Sequence, residues 1–348
     1  MERLQRIESW LGQLWPGISF TLAPASADAS FRRYFRVTRS DGSTRIVMDA
    51  PPSHEDVKPW LHVQQLFEGA GVHVPSVEAQ DLDQGFLLLS DLGNATYLSA
   101  LDPADPAAAR RYYLDAIDAL IRIQAASQPG QLPDYDRALL KRELDLFPDW
   151  YLDKHVKLSL DDKQRKSLED VFDRIMAINL AEPKVHVHRD YHSRNLMVVP
   201  AGQANPGIID FQDAVYGPIS YDLVSLFKDA YIAWDEEIVL DWLITYWERA
   251  RKAGLPINAD FASFHRDYEW MGVQRHVKVL GIFARLYHRD GKDGYLKDMP
   301  LVAHYLRRAV TRYDELAPLR KVLDLVENKI TVLGYTMDQQ AVGGASTK

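Results

Sequence analysis

The hydrophobic pattern of this chain changes period once, near Gly93, and that change constrains its fold more than any other feature. Before it, apolar and aromatic residues come in short runs suited to strands: Ser19–Leu22, Tyr34–Thr38, Arg45–Met48, Val72–Val77 and Phe86–Ser90. Asp41-Gly42 is a hairpin turn signal between the second and third of these. Two helices interrupt them. Residues 3–15 carry Leu4, Ile7, Leu11 and Leu14 at three- and four-residue spacing, and residues 55–69 end at Gly69 and Gly71. After Gly93 the helical period takes over, at about 106–127, 136–153, 161–180, 219–232, 236–253, 260–288 and 301–316. Only Val185–Arg189, Leu196–Val199 and Gly207–Ile209 break it, as short apolar pieces separated by Pro200, Gly202 and Pro206. The 348 residues suffice for two lobes. The pattern predicts an α+β protein: residues 1–92 a small β-rich lobe with a hinge at its end, 93–328 a larger helical lobe, and 329–348 a flexible tail.

Several function classes drop out on composition. The 41 basic and 49 acidic residues give a net charge of -8, so a nucleic-acid partner, which needs a concentrated basic surface, is not expected. With no cysteine there is no disulfide, no thiolate nucleophile and no cysteine metal site. The N-terminus carries acids and no long apolar run, and no stretch approaches roughly 18 uninterrupted apolar residues. The expected setting is therefore the cytoplasm, with a small-molecule substrate, no membrane partner and no obligate protein partner.

The chemistry lies in two short segments, His188-Arg189-Asp190-Tyr191-His192-Ser193-Arg194-Asn195 and Ile209-Asp210-Phe211. Phosphoryl transfer needs an oriented nucleophile, a cation to neutralise phosphate charge, and donors around the phosphates. Asp190 can accept or orient the proton of an attacking hydroxyl. Asn195, five residues on, offers an amide oxygen to Mg2+, and Asp210 can bridge that ion to the phosphates of ATP. Any one of these residues alone reads as an ordinary loop residue; together, at this spacing, they read as a kinase site. His188 reads as a loop-bracing, structural histidine.

These two segments resemble the catalytic loop and magnesium motif of the aminoglycoside phosphotransferase and choline kinase superfamily. The resemblance covers about residues 20–320 and implies a protein-kinase-like fold of two lobes. Gly217-Pro218 and Tyr221-Asp222-Leu223 belong to the same likeness, which gives Asp222 a structural role, bracing the catalytic loop. Within the superfamily, the chain is similar to the amino-sugar kinases of bacterial cell-wall recycling, through Ala29–Val37, Met48-Asp49-Ala50-Pro51-Pro52, Leu88–Gly93 and Gln274–Gly281. That branch implies transfer to the anomeric hydroxyl of N-acetylmuramic acid and N-acetylglucosamine.

The resemblance also places Ser30, Phe31, Arg32 and Arg33 over the nucleotide phosphates, although the turn at Ser26–Arg33 lacks the glycine that usually lets backbone N–H groups approach closely. It places Leu89, Ser90, Asp91 and Leu92 against adenine. The lysine that related kinases carry on the third strand is replaced by Met48, and Glu55 and Glu68 both stay open as its usual helix partner. On the acceptor side, His192, Arg194, Gln212 and Asp213 flank the catalytic segments. Glu269, Trp270 and Arg275 lie on one predicted helix and can share a face. Trp270 reads more readily as core than as a ligand platform, and Arg275 as the partner of an acid or of a lactyl carboxylate. Other acceptors of the same fold (an aminoglycoside, a choline-like alcohol, another sugar) remain alternatives, as does a noncatalytic nucleotide-binding scaffold.

Overall fold

The computed structural model describes residues 2–27, 31–200 and 202–332, without the side chains of residues 26, 27 and 330–332. In chain order the elements begin with α1 (Glu2–Leu14), β1 (Phe20–Ala27), β2 (Arg33–Arg39), β3 (Thr44–Asp49), α2 (Lys58–Gly69), β4 (Val77–Asp81), β5 (Phe86–Ser90) and α3 (Tyr97–Ala100). Then follow α4 (Pro106–Ala125), α5 (Arg137–Leu144), a π-helical stretch (Phe147–Val156), α6 (Asp162–Ala181), β6 (Lys184–Val187), β7 (Leu196–Met197), β8 (Gly207–Ile208) and β9 (Val215–Pro218). The chain continues through α7 (Tyr221–Phe227), α8 (Glu236–Lys252), α9 (Phe261–Asp290), a 3-10 turn (Asp293–Asp298), α10 (Met299–Arg312) and α11 (Ala317–Val332). Two compact units result. The first holds the residues up to Ala100 with Asn195–Asp213, and the second holds Leu101–Arg194 with the chain from Ala214 on. Residues 93–100 and 195–213 thus join the β-rich unit, where the sequence pattern assigned them to the helical lobe. Helix α11 likewise runs to Val332, past residue 329 where the sequence pattern began the tail.

The first unit is an antiparallel five-stranded sheet in the order β1-β2-β3-β5-β4. Register on its buried face pairs Val47 with Leu88. Helix α1 lays Ile7, Trp10 and Leu11 on Val37, Val47, Phe86 and Leu88, a closed apolar cluster. The strand expected at Val72–Val77 starts only at Val77. Pro75 inside that run has no N–H to give to a ladder, so the chain crosses there without pairing. The short ribbon β7–β8 completes the unit.

The second unit is helical, and the helix boundaries follow from caps. Asp105 accepts from the Ala108 N–H at the start of α4, Asp161 and Gln164 form a reciprocal capping box on α6, and Asp260 accepts from the Ser263 N–H on α9. Helix α9 ends at Gly291, whose φ of 67° suits glycine. The helix expected over 136–153 divides, because Pro148 cannot donate in its interior; α5 stops at Leu144 and the chain resumes as a π-helix from Phe147. The helix expected over 219–232 is only Tyr221–Phe227. Helix α11 was not anticipated; its Leu319, Val322, Leu323 and Val326 form the buried stripe that specifies it.

Candidate active site

In the second unit, strand β6 delivers the chain to Asp190 through His188 and Arg189, the second with an unusual backbone. The N–H groups of His188 and Arg189 donate to the two oxygens of Asp222, at 2.7 and 3.0 Å. Arg189 lies in the left-handed region at φ 76°, which costs a β-carbon-bearing residue energy and persists only when its surroundings hold it. They do so from three sides. Its carbonyl accepts from Ser225 Oγ at 3.3 Å, and Ser225 Oγ in turn accepts from Arg275 Nε at 2.6 Å. Its guanidinium pairs with the buried Glu143 on α5, and its plane lies 5.7 Å from the Tyr135 ring. Glu143 also receives Lys278 Nζ at 3.0 Å, Gln274 Nε2 at 3.1 Å and the Tyr135 hydroxyl.

Asp190 itself stays partly open to solvent. Burial pushes its carboxyl up, but the cations Lys278, His192, Arg275 and Arg189 outweigh that and hold it below the usual carboxylate range. Asp222 moves the other way. Burial, aided by the negative charge of Asp190, lifts it to about 7 against the pull of its two backbone donors. Two neighbouring carboxyls are thus shifted in opposite directions, a pattern common at functional sites. His188 is fully buried, accepts the Asp190 N–H on Nδ1 at 3.3 Å and packs edge-on to Tyr191, so its contacts are those of a brace. Burial lowers the pKa of His192, whose ring meets Tyr231 edge-on.

In the first unit, Asn195 Nδ2 donates to Asp210 Oδ2 at 3.2 Å, and Gln212 Nε2 donates to Asp210 Oδ1 at 2.9 Å. The Ile209 N–H donates to the Asn195 carbonyl at 3.1 Å, next to the β7–β8 ribbon, and Asp210 sits at φ 64°. Phe211 anchors this turn, its ring 5.1 Å from Trp60 and 5.8 Å from Phe67 of α2. An amide and a carboxylate within one hydrogen bond of each other are a hard-oxygen pair, and turning the Asn195 amide over presents its oxygen to the same space. These residues fit a magnesium ion.

The expected nucleotide residues divide. Ser30 lies outside the described residues. Phe31 is exposed at 63%, stacked near His54, and its N–H reaches Glu55. Arg33 is bound with Arg3 to the buried Asp49, and Arg32 is half-buried. Leu89 and Leu92 face the core; the Ser90 hydroxyl accepts the Ser76 N–H. Asp91 holds Arg36 in a two-point pair at 2.6 and 2.9 Å. Met48 is fully buried, so this strand position offers no cation.

The expected acceptor residues divide as well. Glu269 is buried between Lys228 and Arg312, Trp270 is sealed against Tyr313, and Arg275 is 4% exposed beneath Ser225. The face they share on α9 is therefore core. Asp213 and Arg194 are exposed, and Gln212 is half-buried. Residues that sequence reasoning missed include Glu143, Lys278, Asp229 and Tyr231. The signal was present for one of them: Lys278 sits between the apolar Val277 and Val279, whereas Glu143 lies in the charged run Lys141-Arg142-Glu143 and nothing local marks it.

The model of the phosphotransferase enzyme family matches residues 21–255. An N-acetylmuramate/N-acetylglucosamine kinase of Neisseria meningitidis is 50% identical over 97% of this chain and 100% of its own length. The protein of the same name from Pseudomonas aeruginosa is 47% identical over 92% of this chain and 96% of its own. Among solved structures, a choline/ethanolamine kinase family protein from Mesorhizobium loti superposes with a TM-score of 0.62 at 12% identity, over 92% of this chain and 99% of that one, which shows the protein-kinase-like fold. With a family match over most of the chain and relatives of this identity along nearly its full length, the chain belongs to the phosphotransferase enzyme family, as an ATP-dependent kinase.

Proposed function

We propose that this kinase transfers the γ-phosphoryl group of ATP to the anomeric hydroxyl of N-acetylmuramic acid and N-acetylglucosamine, in the cytoplasm, as a step of peptidoglycan recycling. Asp190 orients the acceptor hydroxyl and takes its proton. The observation that carries this is the setting of Asp190: partly open to solvent, on a backbone held by Asp222 and Ser225, with its carboxyl pulled below the ordinary range by Lys278, His192, Arg275 and Arg189 against the effect of burial. Such a carboxylate is a weak base, and an anomeric hydroxyl, being part of a hemiacetal, is more acidic than an ordinary sugar alcohol. Base and acceptor therefore match, with late proton transfer and most of the rate coming from positioning and charge. Asn195 and Asp210 hold magnesium, which neutralises phosphate charge when bound. The backbone frame supplied by Asp222 and Ser225 fixes Asp190 before substrate arrives. The names of the relatives, matched along nearly the whole chain, support the choice of sugars.

The test is phosphorus NMR of the product made from each sugar. A sugar phosphate without a free reducing end is expected; a product that keeps its reducing end refutes anomeric transfer. Asp190→Asn is expected to abolish most turnover with both sugars.

A further inference from the structure

Arg194 differs from the other cations around Asp190. Arg189 and Lys278 pair with Glu143, Lys228 pairs with Glu269, and Arg275 gives its Nε–H to Ser225. Arg194 is exposed, and among the described residues no carboxylate lies within ion-pair distance of it. Its charge reaches Asp298 only from beyond that range, and Lys297 stands beside that acid.

The side chain is nonetheless held. Its guanidinium lies 4.7 Å from the Tyr231 ring centroid and 5.9 Å from that of Tyr295, and it hydrogen-bonds the Tyr231 hydroxyl. Buried Asp229 fixes the frame. One of its oxygens accepts the Ser193 N–H at 2.9 Å and the other the Tyr231 N–H at 3.0 Å, so the loop bearing Arg194 and the segment bearing its aromatic support are tied to one carboxylate. Two rings flank the guanidinium and one N–H goes to the Tyr231 hydroxyl, which leaves further in-plane N–H groups as donors of the kind that recognise a carboxylate. Pre-ordering of the plane reduces the entropy lost on binding.

The two acceptors proposed above differ by one group: N-acetylmuramic acid carries a lactyl carboxylate that N-acetylglucosamine lacks. We propose that Arg194, braced by Tyr231 and Tyr295, reads that carboxylate and sets the preference between the two sugars. Arg194 lies four residues after Asp190 on the same loop, where the sequence pattern puts residues expected to face the acceptor. This assignment rests on the amino-sugar reading of the active site, and it moves the carboxylate-binding role from the buried Arg275 to Arg194.

The experiment compares kcat/KM for the two sugars in the wild-type protein, Arg194→Gln, Arg194→Lys and Tyr295→Leu. In Arg194→Gln the ratio of N-acetylmuramate to N-acetylglucosamine should fall roughly 10- to 100-fold, carried by KM for N-acetylmuramate, as for a lost charge-assisted contact. Arg194→Lys should recover part of the ratio, and Tyr295→Leu, which keeps the charge but removes a brace, should fall between. A ratio that stays put in Arg194→Gln, whether both sugars suffer equally or neither does, overturns the assignment while leaving the amino-sugar reading intact. A wild-type protein that phosphorylates neither sugar overturns both.

Discussion

Replacing Glu143 by Gln should destabilise the protein more than replacing Lys278 by Met, although the two side chains are partners. Glu143 is 5% exposed and forms ion pairs with both Arg189 and Lys278. Its loss removes the counter-charge that these two buried cations share, and breaking a buried pair from one side costs about 3–5 kcal/mol. Lys278→Met removes one donor of four. Glu143 keeps Arg189, Gln274 and Tyr135, the methionine fills the space of the lysine stem, and only the Tyr221 hydroxyl loses its partner. That change should cost about 1–2 kcal/mol. In the double variant one of the two stranded cations is gone, so the combined loss should fall short of the sum by about 1–2 kcal/mol. Urea unfolding, followed by far-UV circular dichroism at pH 7.5, measures all three. Acid gives a second handle. Burial raises the Glu143 carboxyl, but Lys278 and Arg189 hold it below its ordinary value of 4.5. Its stabilising contribution is thus present above about 4.5 and is lost as pH falls through the depressed folded value, so the gap between wild type and Glu143→Gln should narrow on acidification. Equal losses in the two single variants, or strict additivity in the double, would refute the network.

Three further outcomes follow from the same structure. Asp210→Asn should raise the Mg2+ concentration needed for half-maximal turnover roughly tenfold or more, read from a magnesium titration at fixed ATP; an unshifted curve removes Asp210 from the metal. Glu182 is buried, its Oε1 has no hydrogen-bond partner and its pKa is lifted to about 8 chiefly by burial. The stability it lends is fully present below about 4.5 and lost as pH rises to about 8, at up to about 1.4 kcal/mol per pH unit, so Glu182→Gln should raise the thermal midpoint at pH 8.5 and not at pH 4.5. Gly281→Ala should lower the midpoint despite better helix propensity, by about 1–3 kcal/mol, because the new Cβ would stand 2.4 Å from the Leu146 carbonyl carbon, which is backbone and cannot rotate away; a rise in calorimetric midpoint contradicts this.

What the sequence made legible was local. Asp190, Asn195 and Asp210 stood out as candidates because phosphoryl transfer would use those groups at those intervals, and the helix starts were readable from Asp105, Asp161 and Asp260. Long-range pairing was not. Nothing in the spacing connects Asp229 with Ser193, or Arg194 with Tyr295 a hundred residues on. Helical period placed Glu269, Trp270 and Arg275 on one face, yet period cannot tell a face that lines a binding site from one that lines a core. Trp270 is fully buried there. The strand expected over Val72–Val77 failed for a plainer reason: its apolar run was right, but Pro75 withholds a ladder donor.

Helix α9 explains why the site looks so irregular in sequence. From Tyr268 to Leu280 every residue is buried, yet Glu269, Gln274, Arg275, His276 and Lys278 are polar or charged, against the rule that a core face is apolar; His276 stacks on Tyr305, and the other four make side-chain hydrogen bonds or ion pairs. Apolar replacements of similar size would often be neutral or stabilising. Three of the four side chains trace to one residue: Arg275 reaches the Arg189 carbonyl through Ser225, while Gln274 and Lys278 reach the Arg189 guanidinium through Glu143. The fourth, Glu269, binds Lys228, the neighbour in sequence of the Asp229 that holds Ser193. The polar core of α9 therefore converges on residues 189–193, where a left-handed arginine precedes the candidate base. Violations of binary pattern concentrated on one catalytic loop are what is expected where a strained backbone must be held in a single conformation. Stability that apolar packing would give is exchanged there for the fixed position and ionised state of Asp190.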